Sequence, residues 1–263
     1  MPTQADPRVG ADRSVLGPAL AGARTAALGA WTIGVAQTAL VHDRMVSEGS
    51  RIALRQQWVS FWARGLLTVF GVEQRWLGAE VAAPRKARLV VANHRSPLDI
   101  ILMLGRFRGS VLGRHDLESW PLLGWAARQG GTIFVDREDA RSGVRAIREI
   151  RKRLSTGQTV IVFPEGTTHQ GDEVHPFLGG AFSAVRGLDA ELLPVGVAYD
   201  PGSEFVNETF GEHLQRMAQR PKTRVALCVG EPEPALGDRE AMAARMHEVT
   251  QALVHRARRQ LGS

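Results

Sequence analysis

From residue 84 onward the chain alternates short β-branched runs with longer stretches in which apolar residues recur every three or four positions. The runs 88–92, 110–113, 132–135, 159–163, 192–198 and 223–229 predict strands. The intervening stretches 97–106, 120–128, 138–155, 178–188 and 238–261 predict helices. Strands that alternate with helices need crossover connections, so the pattern implies a mostly parallel or mixed central sheet covered by helices. Several of the strand runs contain continuous apolar stretches, as expected where both sheet faces are buried. The fold class is therefore α/β. Residues 201–220 are weakly patterned and read as an insertion, and 231–234 read as a turn.

The first part of the chain has a different grammar. Residues 22–44 and 51–72 predict two helices. In the second, Ile52, Leu54, Trp58, Phe61, Trp62, Leu66, Leu67 and Phe70 recur at helical spacing, with Arg51, Arg55, Gln56 and Arg64 between them. A basic amphipathic helix with two tryptophans suits a membrane interface. The same stripe also suits packing against the protein's own core, and the two readings are compatible on different faces. The apolar stretch 26–41 is too short, and too often interrupted by Thr32, Gln37 and Thr38, to span a bilayer. Residues 1–14 carry Asp6, Arg8, Asp12 and Arg13 without an apolar core, which reads as a disordered lead rather than a signal peptide. The expected organisation is a disordered lead over 1–21, a helical membrane-associating segment over 22–80, and an α/β catalytic domain over 81–263.

Charge sharpens this. The formal net charge of +6 favours an anionic partner, either acidic lipid or nucleic acid. No nucleic-acid module is visible, Tyr199 is the sole tyrosine, and the arginines between 141 and 153 read as a solvated helix face, so nucleic acid is not expected. Cys228 is the only cysteine, which removes an internal disulfide and any zinc-type cysteine cluster. Its place in a five-residue apolar run reads as core.

In a largely parallel sheet, ligands gather where strands end, and four strand ends here are unusual. The first is Asn93-His94-Arg95-Ser96-Pro97-Leu98-Asp99. Ser96 suits a helix cap and Pro97 the first helical position, which puts His94 in a tight turn with Asp99 one helical turn later. A carboxylate on one imidazole nitrogen fixes the tautomer and leaves the other to take a proton. The alternative is a satisfied polar turn, with Asp99 stabilising a helix N-terminus. The second is Gly131–Arg137, where Arg137 follows a buried run and its planar fork matches phosphate oxygens. The third is Phe163-Pro164-Glu165-Gly166-Thr167-Thr168-His169, in which Gly166 permits close backbone approach and Glu165 can orient an acceptor head group or a nearby arginine. The fourth is Leu192–Val197, whose Pro194 suggests a strand start, edge or bulge and is expected to shape a pocket wall.

Taken in order, N-H-x4-D, G-x-x-F-x-x-R, F-P-E-G-T and the proline-containing strand resemble the four motifs of the glycerolipid acyltransferases, specifically the 1-acyl-sn-glycerol-3-phosphate acyltransferases. The resemblance spans about residues 50–230. It implies His94 as general base and Asp99 as its orienting carboxylate, with Asn93 supporting them. It implies acceptor and phosphate binding by Arg137, Glu165 and Gly166, together with Thr167 of the third motif. The stretch Arg114-His115-Asp116-Leu117 is similar to a Lys-x-Glu-Leu segment of the family, with Arg114 keeping the positive charge. The implied donor is acyl-CoA or acyl carrier protein, used as a substrate, with no cofactor and no metal. The implied location is the cytoplasmic face of the inner or plasma membrane.

Two departures bear on the acceptor. Thr168 and His169 replace the usual Arg-Ser after F-P-E-G-T, and Pro176-Phe177-Leu178-Gly179-Gly180 replaces P-F-K-x-G. Two customary cations are thus missing. The expected acceptor is 1-acyl-sn-glycerol-3-phosphate, with another lyso-lipid such as lyso-ornithine lipid as the alternative and simple thioester hydrolysis as a remoter one.

Overall fold

The computed structural model describes residues 16–80, 84, 86–119, 123–136 and 138–262. Two long helices open the described chain, α1 (Leu16–Met45) and α2 (Arg51–Val69), joined by a short 3-10 turn. They are followed by β1 (Val72–Gly78), β2 (Ala87–Ala92), α3 (Pro97–Phe107), β3 (Ser110–Arg114), a 3-10 turn at His115–Ser119, α4 (Leu123–Gln129), β4 (Ile133–Val135) and α5 (Ala140–Ser155). The remaining elements are β5 (Thr159–Val162), α6 (Gly180–Ser183), β6 (Ala190–Tyr199), α7 (Phe210–Gln219), β7 (Thr223–Val229), β8 (Glu233–Pro234) and α8 (Arg239–Leu261).

The eight strands form one mixed sheet in the order β1-β7-β6-β2-β5-β3-β4, with β8 beside β6. Pairing is parallel except where β6 meets β7 and β8. The most apolar strands are central, as their composition requires: every residue of β2 and β5 is buried. One face packs against α2 and α3 through Leu66, Leu67, Met103, Val90 and Ile161. The other packs under α5 and α8 through Ile150, Leu89, Val160 and Met246.

Four expectations change. Helix α1 begins at Leu16 rather than 22, so the disordered lead does not extend over 16–21, and residues 1–15 lie outside the described residues. Pro18 sits in the helix's first turn, where its missing N–H costs nothing, and Gly17 packs on Gln219 of α7. Strand β1 pairs with β7 along its whole length, so the helical segment expected over 22–80 ends in a strand of the main sheet. The insertion at 201–220 contains a full helix, α7, closed by a Thr209–Glu212 capping box. The expected helix at 178–188 contracts to the four residues of α6.

Pro194 lies in the middle of β6, not at an edge. It faces Val91 of β2 on one side. On its other side β6 changes partner, from β8 at Glu191–Leu192 to β7 from Val195 onward, so no ladder bond is lost to the missing N–H. Its carbonyl accepts from Gly230. It does not line the cavity described below.

The inner face of α2 is core, with Trp62, Ala63, Leu66 and Leu67 buried. Helix α1 lies against α2 through two indole hydrogen bonds, Trp31 Nε1 to the Trp62 carbonyl and Trp62 Nε1 to Thr32 Oγ1, each 3.0 Å. Gly65 makes this approach possible, because a Cβ there would lie 2.2 Å from the Trp31 ring. The outer surfaces are apolar as well. Of the ten exposed large hydrophobic residues among the described residues, seven lie on these two helices: Leu16, Ile33, Leu40, Val41, Met45, Ile52 and Phe61. No described helix is long and apolar enough to cross a membrane.

Candidate active site

The site is built on the turn between β2 and α3. Ser96 caps α3 in an extended conformation, its side chain accepting from Leu98 N–H, and Pro97 follows at the first helical position. This brings Asp99 back under the turn. Its Oδ2 accepts from Arg95 N–H at 2.6 Å and Ser96 N–H at 2.8 Å, and it bonds His94 Nδ1 at 2.9 Å. Its Oδ1 accepts from the Tyr199 hydroxyl at 2.7 Å. Asp99 is fully buried, and four donors stabilise its charge. With Nδ1 committed to this carboxylate, His94 carries its proton there and leaves Nε2 as a base. No described residue bonds Nε2. The ring stacks on Phe163, with centroids 4.3 Å apart and planes inclined by 19°.

His94 lines an open cavity of about 440 Å³. Its walls are mostly apolar: Trp62 and Leu66 from α2, Leu98 and Ile101 from α3, and Leu214 and Met217 from α7. Thr167, Thr168 and Arg114 also line it. A base at the edge of an apolar cavity, with polar groups confined to part of the wall, suits a substrate with an alkyl chain and a reacting polar end.

The remaining expected site residues separate into two groups. Thr167 and Arg114 are exposed and face the cavity. Arg137 lies outside the described residues. Asn93 and Glu165 turn inward instead. Asn93 is fully buried, and its amide makes two bonds to the Val197 backbone, at 2.9 and 2.7 Å, tying the end of β2 to β6. Glu165 has no exposed side-chain surface. Its oxygens accept from His94 N–H at 2.6 Å, His175 N–H at 2.9 Å and Arg95 Nη1 at 3.0 and 3.1 Å. Of the two roles open to Glu165 in the sequence, the geometry matches the nearby arginine and leaves no lone pair facing the cavity. Gly166 follows with φ +81°, a conformation that suits glycine, and its N–H closes the turn onto Phe163.

Sequence reasoning missed two residues that hold this turn. Arg95 is 1 % exposed, and all three guanidinium nitrogens donate, to Glu165 and to the carbonyls of His94, Gly171 and Glu173. Tyr199 sits at the far end of β6. Its burial beside Asp99 pushes the phenol well above its ordinary pKa, so it remains a hydrogen-bond donor. Neither had a signal: an arginine in a turn and a tyrosine ending a strand look like surface residues until the sheet brings them to Asp99.

A family model described as Acyltransferase matches residues 75–198, which contain β2, the turn between β2 and α3 and the Glu165 loop. The chain is 30% identical over 227 residues to a lyso-ornithine lipid O-acyltransferase of Pseudomonas aeruginosa, covering 83% of this chain and 86% of the relative. The chain belongs to the acyltransferase family. A 1-acyl-sn-glycerol-3-phosphate acyltransferase of Neisseria gonorrhoeae is 33% identical over 127 residues, 47% of this chain and 50% of its own. The crystal structure of a 1-acyl-sn-glycerophosphate acyltransferase from Thermotoga maritima superposes with a TM-score of 0.72, covering 90% of this chain and 94% of that one at 22% identity. That likeness places the acyltransferase in the same fold.

Proposed function

We propose that this acyltransferase moves a fatty acyl group from acyl-CoA or acyl carrier protein to the free hydroxyl of a lyso-lipid, with His94 as general base. The observation that carries the reading is the His94 ring, fixed by Asp99 at one nitrogen and placed on the wall of an apolar cavity. The acceptor hydroxyl gives its proton to Nε2 as its oxygen attacks the thioester carbonyl. The tetrahedral intermediate then collapses, the carbon–sulfur bond breaks, and the departing thiolate takes the proton back from the imidazolium. Asp99 offsets the transient positive charge, and general-base assistance of this kind contributes roughly 10² to 10⁴ in rate. The apolar wall suits an alkyl chain, and Arg114 with Thr167 suits the polar end of a substrate.

Among acceptors, lyso-ornithine lipid has the better support. The relative of that name aligns over most of both chains. Thr168 and Leu178 also stand where a phosphate site would be expected to carry cations. 1-Acyl-sn-glycerol-3-phosphate is the second reading, favoured by Arg114 on the cavity wall and by the Neisseria relative. We place the enzyme on a membrane surface at the cytoplasmic face, through the exposed apolar side chains of α1 and α2.

The test is direct. Purified protein is incubated with an acyl thioester and each lyso-lipid, and products are identified by mass spectrometry. Acylated lyso-lipid from the wild type and none from His94→Ala is the expected result. Release of free fatty acid alone would make the protein a thioesterase, and full transfer by His94→Ala would remove His94 from the chemistry.

A further inference from the structure

The segment between β6 and β7, weakly patterned in sequence, grips the catalytic turn from the side opposite Glu165. Phe205 N–H donates to the Arg95 carbonyl at 2.8 Å, and Thr168 Oγ1 donates to the Phe205 carbonyl at 2.6 Å. From α7, His213 reaches the turn itself. Its Nε2 lies 3.1 Å from Ser96 Oγ, and its Nδ1 lies 2.8 Å from Glu208 Oε1. Ser96 and His213 are 0 and 2 % exposed.

The Ser96 hydroxyl can accept and donate at once. Its Oγ already accepts from Leu98 N–H, so its hydroxyl hydrogen is free to go to His213 Nε2. That requires a neutral imidazole with its proton on Nδ1, where Glu208 accepts it. Arg216 donates to both Glu208 oxygens and lies 3.0 Å from His213 Nδ1, holding the carboxylate in place. Burial keeps the His213 imidazole below its ordinary pKa, with the bond from Glu208 opposing that trend. The backbone N–H of the same serine donates to Asp99 Oδ2, the oxygen that orients His94. A residue one hydrogen bond from the catalytic carboxylate is therefore held by a histidine outside all four motifs.

We propose that His213, backed by Glu208, is a positioning residue for acyl transfer that acts through Ser96 to hold Asp99 and His94 in register. The proposal rests on His94 being the base. It assigns to His213 no contact with the reacting atoms. It also explains why a chemically plain insertion carries a Glu-His pair whose histidine is buried against the catalytic turn.

The full chain is tested in detergent micelles with acyl thioester and lyso-lipid. His213→Leu keeps the volume and removes the acceptor for Ser96, whereas His213→Gln keeps an acceptor near the Nε2 position. One lost buried hydrogen bond, expressed in the rate, corresponds to about tenfold. His213→Leu is expected to lose about tenfold in kcat with an unchanged KM for the lyso-lipid, and His213→Gln to recover most of it. The pair Ser96→Ala and His213→Leu should be non-additive, the double variant being no slower than the slower single one. Glu208→Gln, which leaves the packing of α7 intact, should lower kcat by a smaller factor in the same direction. Wild-type kcat in His213→Leu, equal loss in the Leu and Gln variants, a rise in KM alone, or multiplying effects in the double variant would each overturn the proposal. His94→Ala runs alongside: activity there would defeat the general-base reading, whereas an inactive His94→Ala with a fully active His213→Leu defeats only this inference.

Discussion

Glu165→Gln separates two meanings of the third motif. If the side chain oriented an acceptor head group, its loss would weaken acceptor binding and leave the fold intact. The structure leads to the opposite expectation. Both oxygens are consumed inside the protein, by the backbone N–H groups of His94 and His175 and by the Arg95 guanidinium. Glutamine keeps the shape but turns one acceptor into an NH₂ donor, which must then face an N–H donor. It also strips the counter-charge from a guanidinium that is 1 % exposed. Breaking a buried ion pair by removing one partner costs about 3–5 kcal/mol. For a chain of this size each kcal/mol lowers Tm by roughly 2–4 °C, so the midpoint should fall by about 6–20 °C. The His94 N–H is one of the stranded donors, so kcat should fall as well, measured below the new transition. KM for the lyso-lipid in the folded fraction should stay within about twofold, because no transition-state-independent contact to the acceptor is lost. Differential scanning calorimetry and steady-state kinetics on the same preparation decide the matter. An unchanged Tm with a large rise in KM would show Glu165 contacting substrate and would refute the reasoning.

Three further outcomes follow from single contacts. Tyr199→Phe removes one donor from the fully buried Asp99 and should cost about 1.5–3 kcal/mol, the range for hydrogen bonds to charged groups, with a fall in kcat; equal stability by chemical denaturation would place the phenol off Asp99. Gly65→Val should destabilise by about 1–3 kcal/mol, because overpacking against the Trp31 ring exceeds the few tenths recovered from helix propensity, and tryptophan emission should shift as Trp31 is displaced. His213 takes up a proton less readily when folded than when unfolded, so the unfolded state gains protons first as pH falls through the ordinary histidine value of 6.5. Stability should therefore decline below that pH, and His213→Gln should flatten the decline in urea titrations taken between about pH 7 and 5.

The sheet was legible because its central strands have no polar face: runs such as Leu89-Val90-Val91 and Val160-Ile161-Val162 satisfy only a doubly covered position. Strand β1 was not. Its three apolar residues, Val72, Trp76 and Leu77, do not alternate, and Val72-Glu73-Gln74-Arg75 follows an amphipathic helix without a break in composition. Its state is set by β7, a partner about 150 residues away, which single-sequence periodicity does not see. Helix α7 escaped for a related reason. Its apolar residues are few, and its ends are fixed by a local capping box and by Arg24 of α1, which donates to the carbonyls of Ala218, Arg220 and Pro221.

The site divides along the same line. His94 and Asp99 are five residues apart on a turn whose cap chemistry is local, so their pairing could be argued from spacing. What makes the pair rigid is not local. Asn93 is anchored to Val197, Asp99 to Tyr199, Arg95 to Glu165, and Ser96 to His213. Each link crosses at least 70 residues of sequence, two of them reaching β6, one the Glu165 loop and one α7, and each ends on a residue that looks ordinary in its own stretch. A motif therefore marks the His94–Asp99 pair, whereas the residues that hold the turn in place are spread over β6, the Glu165 loop and α7. That spread has a physical reason. A base on a loop loses effectiveness with small displacements, and the turn between β2 and α3 is bonded by β6, the Glu165 loop and α7, parts of the chain that lie far from it in sequence.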